Sequence, residues 1–247
     1  MQVERRLLPE ECVTFQVALI GSDGLVIGSD RKVLHVTPVE GENPIYQRPE
    51  QPKYKKDKLE TVACFYAGGA DSAKQASEIV RVSATEDVES WESAIEHAAK
   101  KTHRVFGKDF LNEILIVRRD TPNEIWLLKS NPPDTRICTI TSSICTGTYS
   151  DARFLVSRLW HPGLPVAQLK NLALLALADA TEDNSGNIGG SFDIMTMSDR
   201  QFRFEHYELS QVEQAFAAFH EKLTAAFEDF SPVHSVLNLG RASSRRD

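Results

Sequence analysis

The sequence predicts an α+β fold in which helices are layered on antiparallel sheets. Short strand-like segments come in neighbouring pairs joined by brief turns, which favours antiparallel hairpins. Segments with helical periodicity come two at a time between those strands, in the order strands, two helices, strands, two helices, strands. The 247 residues suit one large globular domain, and no internal repeat is evident at solenoid periods. These observations together give the fold class.

The first half of the chain opens on a hairpin and reaches two helices through a second one. The turn Gly21-Ser22-Asp23-Gly24 joins the first two strands, and a pair of glycines after Ala67 ends the second hairpin. In chain order we expect strands over Thr14–Ile20 and Leu25–Ser29, a long excursion over Val33–Pro52, a hairpin over Tyr54–Tyr66, and helices over Ala70–Val82 and from Glu86.

The second half repeats the alternation and closes on a helix. Pro165 stands where its fixed φ favours the first turn of a helix, and the helix that follows is apolar almost all round. We expect strands over Glu113–Arg118, Glu124–Leu128 and Arg136–Cys145, helices over Ser150–Leu159 and Pro165–Thr181, strands over Ser191–Met197 and Phe202–Tyr207, and a helix over Ser210–Phe230. The predicted domain therefore spans residues 14–230, between an N-terminal extension, 1–13, and a polar C-terminal tail, 231–247.

Charge and hydropathy exclude two classes of partner. The net charge of -7 gives no reason to expect a nucleic-acid surface. The longest apolar run, Leu172–Ala178, is far shorter than the roughly 20 residues that span a bilayer, and the N-terminus lacks an apolar signal core. We therefore predict a cytoplasmic protein with no membrane and no nucleic-acid partner.

Cysteine and histidine usage indicates no metal site. The four cysteines, Cys12, Cys64, Cys138 and Cys145, show no C-x-x-C spacing and are interpreted as thiols without a disulfide framework. His97 and His103 share a predicted helix but not the i,i+4 spacing of a metal pair. We expect neither a metal nor another cofactor.

Several segments carry a resemblance to one family. Thr14-Phe-Gln-Val-Ala-Leu-Ile and the later segment from Asp23 to Asp30 resemble the opening of proteasome β subunits and of the related bacterial ATP-dependent peptidase, which are N-terminal nucleophile hydrolases. Thr14 and Asp30 stand at that family's spacing with no gap. Ala67–Asp71 is similar to its Ala-Gly-Gly turn, and Glu182–Gly186 resembles its Asp-x-x-Ser-Gly turn. The resemblance covers most of 14–207 and implies a four-layer αββα sandwich with two antiparallel sheets between helix layers.

The resemblance also implies a catalytic site around Thr14. An N-terminal threonine can use its own α-amine, with a pKa of about 7.7, as the base for its hydroxyl. A lysine held by Asp30 would orient these groups and lower their proton affinity. The ungapped count from Ala67 gives Lys53, with Lys55 as the alternative one strand period away. The backbone N–H of Gly68 is the implied oxyanion donor.

Two further positions of the family's site, a hydroxyl and an aspartate, are implied less directly, together with Ser185, the serine of the Asp-x-x-Ser-Gly turn. Cys145-Thr146-Gly147 resembles the family's Gly-Ser-Gly turn, which gives the hydroxyl to Thr146. The ungapped count to Ser185 places the family's aspartate on Glu182, while Asp183 has the matching chemistry one residue later. Each residue alone has an ordinary structural explanation, and their joint order and spacing support the site.

Residues 1–13 precede Thr14 in this sequence. While they are attached, the Thr14 nitrogen is an amide without basicity and cannot act as the base. They are either a propeptide or the result of a start codon that belongs at Val13, where removal of the initiator methionine would expose Thr14. Val13 is bulkier than the glycine that usually precedes a self-processed threonine. Cys12 is a rival nucleophile that lies two residues too early for the spacing to Asp30.

The leading functional hypothesis is a threonine-type endopeptidase acting on peptides or unfolded proteins. Two alternatives are a catalytically inactive ring or scaffold subunit, and an amidohydrolase of small substrates that uses the same nucleophile. Tyr66 stands where the family has the floor of its main specificity pocket, which favours small or medium apolar side chains. The resemblance implies a homo-oligomeric ring and leaves an ATPase partner open, with the 33–52 excursion and the C-terminal tail as expected contact regions.

Overall fold

The computed structural model describes residues 14–32, 35–37, 45–47, 50–67, 70–83, 91–106, 112–131, 134–147, 150–183 and 188–228. These residues form twelve strands and five helices. The chain divides into two compact units, Met1–Leu209 and Ser210–Asp247, and the second contains almost all of the last helix. None of the helices in the described ranges is long and apolar enough to cross a membrane.

The elements follow one another in a mixed order along the chain. The strands are β1 (Phe15–Ile20), β2 (Leu25–Asp30), β3 (His35–Thr37), β4 (Ile45–Gln47), β5 (Tyr54–Lys56), β6 (Val62–Ala67), β7 (Asn112–Arg118), β8 (Ile125–Asn131), β9 (Asp134–Ile140), β10 (Ser143–Gly147), β11 (Phe192–Ser198) and β12 (Gln201–Tyr207). The helices are α1 (Ala70–Ser83), α2 (Trp91–Phe106), α3 (Ala152–Leu159), α4 (Val166–Asp183) and α5 (Leu209–Glu228).

Two antiparallel sheets of five strands each form the frame of the first unit. The first sheet has the order β10-β1-β2-β11-β12 and the second the order β5-β6-β7-β8-β9, while β3 and β4 pair separately. In the first sheet Phe15 lies opposite Gly147, and Asp30 lies opposite Phe192. The start of β1, the end of β2 and the end of β10 therefore meet at one end of this sheet.

The apolar core follows the period-2 alternation of the strands. One cluster draws side chains from both five-stranded sheets, including Ala18 and Ile27 from the first and Phe65 and Leu115 from the second. A second cluster uses the alternate residues of the second sheet, such as Cys64 and Ile116, together with Ile79 of α1 and Ile95 of α2. Both faces of the second sheet are thus covered, which explains why every residue of β6 is buried.

The strand and helix predictions agree with most of these elements, with two differences. The run 136–145 was predicted as one strand, but it belongs to β9 and β10, which lie in different five-stranded sheets. Because no glycine or proline marks the turn at residues 141–142, the strand pattern alone does not reveal the break. The excursion over residues 33–52 includes the short antiparallel pair β3 and β4.

The predicted four-layer αββα sandwich is wrong. The structure has an α+β fold with two five-stranded antiparallel sheets and five helices, and almost all of α5 lies in a separate unit. A regular αββα layering is not shown by the residues that the structure describes. Periodicity identifies which face of an element is apolar but not the element that covers it, so the layer order could not follow from the sequence pattern.

Candidate active site

Thr14 lies at the buried start of β1, where Asp30 holds the chain. Only 2% of Thr14 is exposed, and Asp30 is fully buried. The backbone N–H of Phe15 donates to Asp30 Oδ1 at 2.9 Å. Because β1 and β2 are neighbours in an antiparallel hairpin, the end of β2 comes back to the start of β1. The turn between the strands therefore places the predicted nucleophile beside the predicted aspartate.

Lys53 completes a buried ion pair with Asp30. Its Nζ lies 3.0 Å from Oδ1 and 2.9 Å from Oδ2, and the two side chains are 3% and 0% exposed. Lys53 directly precedes β5, and its carbonyl accepts from the backbone N–H of Tyr66, which fixes it beside β6. Of the two lysines left open by the sequence, Lys53 is the one placed on Asp30, while Lys55 lines a surface groove against α1.

Burial and pairing act in opposite directions on Asp30. Removal from water raises the pKa of its carboxyl above the ordinary value, while the Lys53 ammonium and the Phe15 amide favour the charged form. An unpaired charge at this depth would be strongly unfavourable, so each member of the pair depends on the other. The pair thus holds the Lys53 ammonium in a fixed position with almost no contact with water.

Gly147 approaches Thr14 closely enough to exclude any side chain. A Cβ at this position would lie 2.0 Å from the Thr14 carbonyl oxygen, and the φ of +84° is one that side chains rarely adopt. Its neighbour Thr146 is buried, and its hydroxyl donates to Gln16 Oε1 at 3.1 Å. The Gln16 Nε2 atom is buried and has no hydrogen-bond partner among the described residues. The structure therefore places the predicted hydroxyl of Thr146 on Gln16.

The two acidic candidates at the end of α4 are both exposed, and they differ in their contacts. Asp183 Oδ2 accepts from the Ser150 hydroxyl at 3.0 Å and from the Asp151 backbone N–H at 3.0 Å. Glu182 precedes it on the same helix. The structure thus joins Asp183 to Ser150, a buried serine that the sequence reasoning missed. Ser150 could have been noticed as a hydroxyl three residues beyond Gly147.

Two predicted site residues, Gly68 and Ser185, lie outside the described residues. Tyr66, the predicted pocket floor, is 5% exposed, and its hydroxyl donates to the Pro52 carbonyl at 2.9 Å. This bond holds the segment next to Lys53 against β6. The tyrosine therefore has a structural contact in addition to its predicted position in a pocket.

A second polar cluster, unnoticed in the sequence, adjoins Asp30. Arg31 Nη1 donates to both carboxylate oxygens of Asp193 at 2.9 Å, and His206 Nδ1 lies 3.2 Å from Asp193 Oδ1. Glu50 accepts hydrogen bonds from the backbone and hydroxyl of Ser191, and the hydroxyl bond lowers the pKa of Glu50. These contacts bind the ends of β2, β11 and β12 together behind the site.

The described residues contain no group of three or more histidine, cysteine or acidic side chains that could hold a metal ion. Cys64 and Cys145 are free thiols, and burial raises the pKa of Cys145 to about 12 and that of Cys64 still further. Such thiols stay protonated at neutral pH and are poor nucleophiles. This end of the sheet therefore brings together the start of β1, where Thr14 stands, and the buried Lys53–Asp30 pair that holds the Phe15 amide.

Solved structures named Anbu share this fold. Anbu, ancestral beta-subunit, from Yersinia bercovieri matches with a TM-score of 0.67 at 16% identity, over 87% of this chain and 96% of that chain. Anbu from Hyphomicrobium sp. strain MC1 gives 0.63 at 15% identity, over 87% and 97%. The helical assembly of the Anbu complex from Pseudomonas aeruginosa gives 0.62 at 17% identity, over 85% and 96%. No family model and no curated protein matches the sequence.

These matches correct the family resemblance drawn from the sequence. They support an Anbu-type fold, and they do not identify the chain as an N-terminal nucleophile hydrolase of the 20S proteasome β-subunit or bacterial ATP-dependent peptidase kind. At identities of 15% to 17% the likeness shows the fold alone. The spacing from Thr14 to Asp30 is set by the hairpin of β1 and β2. It therefore does not distinguish one family from another when both families open with such a hairpin.

Proposed function

We propose that this chain is a subunit of a proteasome-related assembly built from copies of itself. The observation that carries this proposal is the fold, which matches a protein named ancestral beta-subunit over 87% of this chain and a helical Anbu assembly over 85%. Identical copies arranged in a ring or a helix use heterologous contacts, in which two different faces of the subunit meet. Such a protein has a scaffold role whether or not it catalyses a reaction.

Molar mass in solution tests the assembly. Light scattering on the purified full chain should give a mass several times that of the 27.6 kDa chain, increasing with protein concentration. A particle that stays at the mass of one chain over the whole accessible concentration range would contradict the proposal.

A specific observation favours a second function, threonine-type peptide-bond hydrolysis at Thr14. The buried Lys53–Asp30 pair lies at the start of β1, tied to it by the Phe15 amide. Withdrawing two charges from water costs several kcal/mol per ion, and apolar residues of similar size often stabilise a fold at least as well. Because such a pair adds little to the stability of a fold, its presence here is better explained by a role in chemistry at the Thr14 hydroxyl.

The proposed reaction needs Thr14 as the first residue. Its α-amine accepts the hydroxyl proton while Oγ1 attacks the peptide carbonyl, and the positive charge of Lys53 lowers the proton affinity of Oγ1. The negative charge of the tetrahedral intermediate then lies on the former carbonyl oxygen. Collapse of the tetrahedral intermediate breaks the C–N bond, the ammonium returns its proton to the leaving amine, and an ester to Thr14 remains. Water, deprotonated by the same amine, then hydrolyses this ester to a carboxylic acid and free Thr14.

Residues 1–13 make the site latent in this proposal. While Val13 is joined to Thr14, the Thr14 nitrogen is an amide and cannot accept the proton. Removal of the extension, or translation from Val13 followed by loss of methionine, would supply the amine. Intact mass of the protein from its native source distinguishes these routes from a chain that keeps all of residues 1–13.

Substitution at Thr14 tests the hydrolytic function. A full chain carrying an inserted protease site would be folded, cleaved before Thr14 and assayed on fluorogenic peptides. We expect hydrolysis by wild type, partial activity in Thr14→Ser because the hydroxyl is kept, and only background in Thr14→Ala. Equal rates for wild type and Thr14→Ala would remove peptide hydrolysis at Thr14 while leaving the scaffold role in place.

A further inference from the structure

Glu113 reaches the backbone beside Thr14 from the opposite sheet. It lies on β7, and its Oε2 accepts the backbone N–H of Gly147 at 2.7 Å, so the contact crosses from the second sheet to the end of β10 in the first. Its other oxygen lies 2.6 Å from Lys129 Nζ. Hydrogen bonds to an ionised acceptor are roughly twice as strong as those between neutral groups.

A displacement of the Gly147 backbone would also displace the Thr14 backbone. The glycine pairs with Phe15, the residue after Thr14. Its Cα stands so near the Thr14 carbonyl that an added Cβ would lie 2.0 Å from that oxygen. Because this contact has no spare space, the position of the Gly147 backbone limits where the Thr14 backbone can lie.

A second charged side chain holds Gly147 from another element. Arg153 Nη2, on α3, donates to the Gly147 carbonyl oxygen at 3.0 Å. Both backbone polar groups of Gly147 are therefore bonded to charged side chains, the N–H to Glu113 and the carbonyl to Arg153. Ladder bonds alone would leave the strand end free to fray, and these two contacts restrain it.

We propose that Glu113 is a positioning residue for Thr14. By fixing Gly147 across the gap between the sheets, its carboxylate sets the distance between the Thr14 hydroxyl and the Lys53–Asp30 pair. The inference rests on the proposed hydrolysis at Thr14. A misplacement of about 1 Å at a reacting group can lower a rate by roughly 100-fold, so a single hydrogen bond at this point can control turnover.

Amide hydrogen exchange on the full chain tests the positioning itself. Glu113→Ala should accelerate exchange at the Gly147 and Phe15 amides relative to the rest of β1. Glu113→Gln should restore most of the protection, because its amide oxygen can still accept from Gly147. Glu78→Ala is the matched control, since Glu78 is also a glutamate bonded through its carboxylate to two groups, here Arg81 and Lys101, but on α1 and away from Gly147. Wild-type exchange at both amides in Glu113→Ala would overturn the proposal.

Turnover then tests the catalytic consequence on chain cleaved before Thr14. Glu113→Ala should lower kcat by about 10- to 100-fold with KM unchanged, with rescue in Glu113→Gln and no effect in Glu78→Ala. An unchanged kcat in Glu113→Ala would overturn the proposal. If wild type releases no product, hydrolysis at Thr14 is excluded, and the exchange result alone decides whether Glu113 positions the Thr14 backbone.

Discussion

Asp30 and Lys53 lie inside the protein with almost no contact with water. This burial determines how the stability of the fold changes when either residue is substituted. The pair is 0% and 3% exposed, and one aspartate oxygen also bonds to the Phe15 amide. In water such a pair contributes little, but inside a fold the loss of one partner leaves a charge with no compensation. Loss of one of the two residues should therefore destabilise the fold more than loss of both.

Substitution of Lys53 alone should be much more harmful than substitution of both partners. We expect Lys53→Met to lower the free energy of unfolding by about 3–5 kcal/mol, because Asp30 is left buried and unpaired. Adding Asp30→Asn should recover most of this loss, since the amide oxygen still accepts from Phe15. Urea unfolding measures both, with Lys55→Met as the control, for which we expect a change within about 0.5 kcal/mol. A double variant as unstable as the single one would contradict the account.

Glu50 gives a pH dependence with a definite sign. The Ser191 hydroxyl bond lowers the pKa of Glu50 below its ordinary value of 4.5. The folded state therefore holds this proton less tightly than the unfolded chain, and the stability from the bond is present above pH 4.5 and lost as the pH falls through the lowered pKa.

Glu50→Gln should accordingly reduce the loss of stability in acid. Because Glu50 is exposed, we expect its contribution to be below about 1 kcal/mol. Urea unfolding of wild type and Glu50→Gln at a series of pH values below 5 measures the difference between them. Parallel curves over the whole range would show that the Ser191 bond is not formed in solution.

At the scale of elements, the hairpin of β1 and β2 is the part of the site that the sequence predicts best. Its turn glycines and unbroken apolar strands fix the register that puts Asp30 beside Thr14, and no distant contact is needed for it. The resemblance, through its count back from Ala67, gives Lys53 and leaves Lys55 open, and the contact of Lys53 with Asp30 joins the residue before β5 of the second sheet to the end of β2 in the first. Local periodicity is therefore sufficient for the hairpin of β1 and β2 but not for the Lys53–Asp30 pair.

Most of the contacts that the sequence pattern missed join elements that are distant along the chain. Glu113 bonds to Gly147, and Ser150 to Asp183, across separations of 34 and 33 residues. The resemblance to a Gly-Ser-Gly turn predicts a site hydroxyl at Thr146, and this role stays a prediction; in the structure that hydroxyl bonds to Gln16, 130 residues earlier in the chain. Such contacts depend on how sheets and helices meet, which the pattern of apolar residues does not specify.

Gly147→Ala should disturb the start of β1 as well as β10. A residue with a side chain in this conformation costs about 1–3 kcal/mol, and the Cβ would also displace the Thr14 carbonyl. Thermal unfolding gives the loss, and exchange of the Phe15 amide shows whether it reaches β1. Gly163→Ala is the control, because its Cβ would meet only the His161 ring at 3.2 Å. Equal effects of the two substitutions would show that Gly147 has no special contact with Thr14.

At the scale of the whole molecule, the proposed assembly would have to overcome the charge of the chain. Each copy has a net charge of -7, so copies repel one another at long range. We therefore expect contacts between copies to be made largely by apolar packing and hydrogen bonds. Salt shortens the range of the repulsion and leaves such contacts intact.

Raising the salt concentration should consequently favour the assembled form. Between about 0.05 M and 0.5 M NaCl, we expect the assembled fraction at fixed protein concentration to rise, because the Debye length falls well below 10 Å. Sedimentation velocity measures the fraction directly. Dissociation at the higher concentration would instead show that ion pairs between subunits hold the assembly.

The central question is whether the Thr14 hydroxyl forms a covalent bond with substrate. Chain cleaved before Thr14 would be mixed with an activated ester of a short apolar peptide, quenched in acid and digested, and the adduct located by mass spectrometry. We expect an ester-linked acyl group on Oγ1 in the peptide that begins with Thr14, and no ester-linked acyl group in Thr14→Ala. Substrate consumed by wild type with no such ester on Thr14, or at the same rate by Thr14→Ala, would contradict hydrolysis at Thr14.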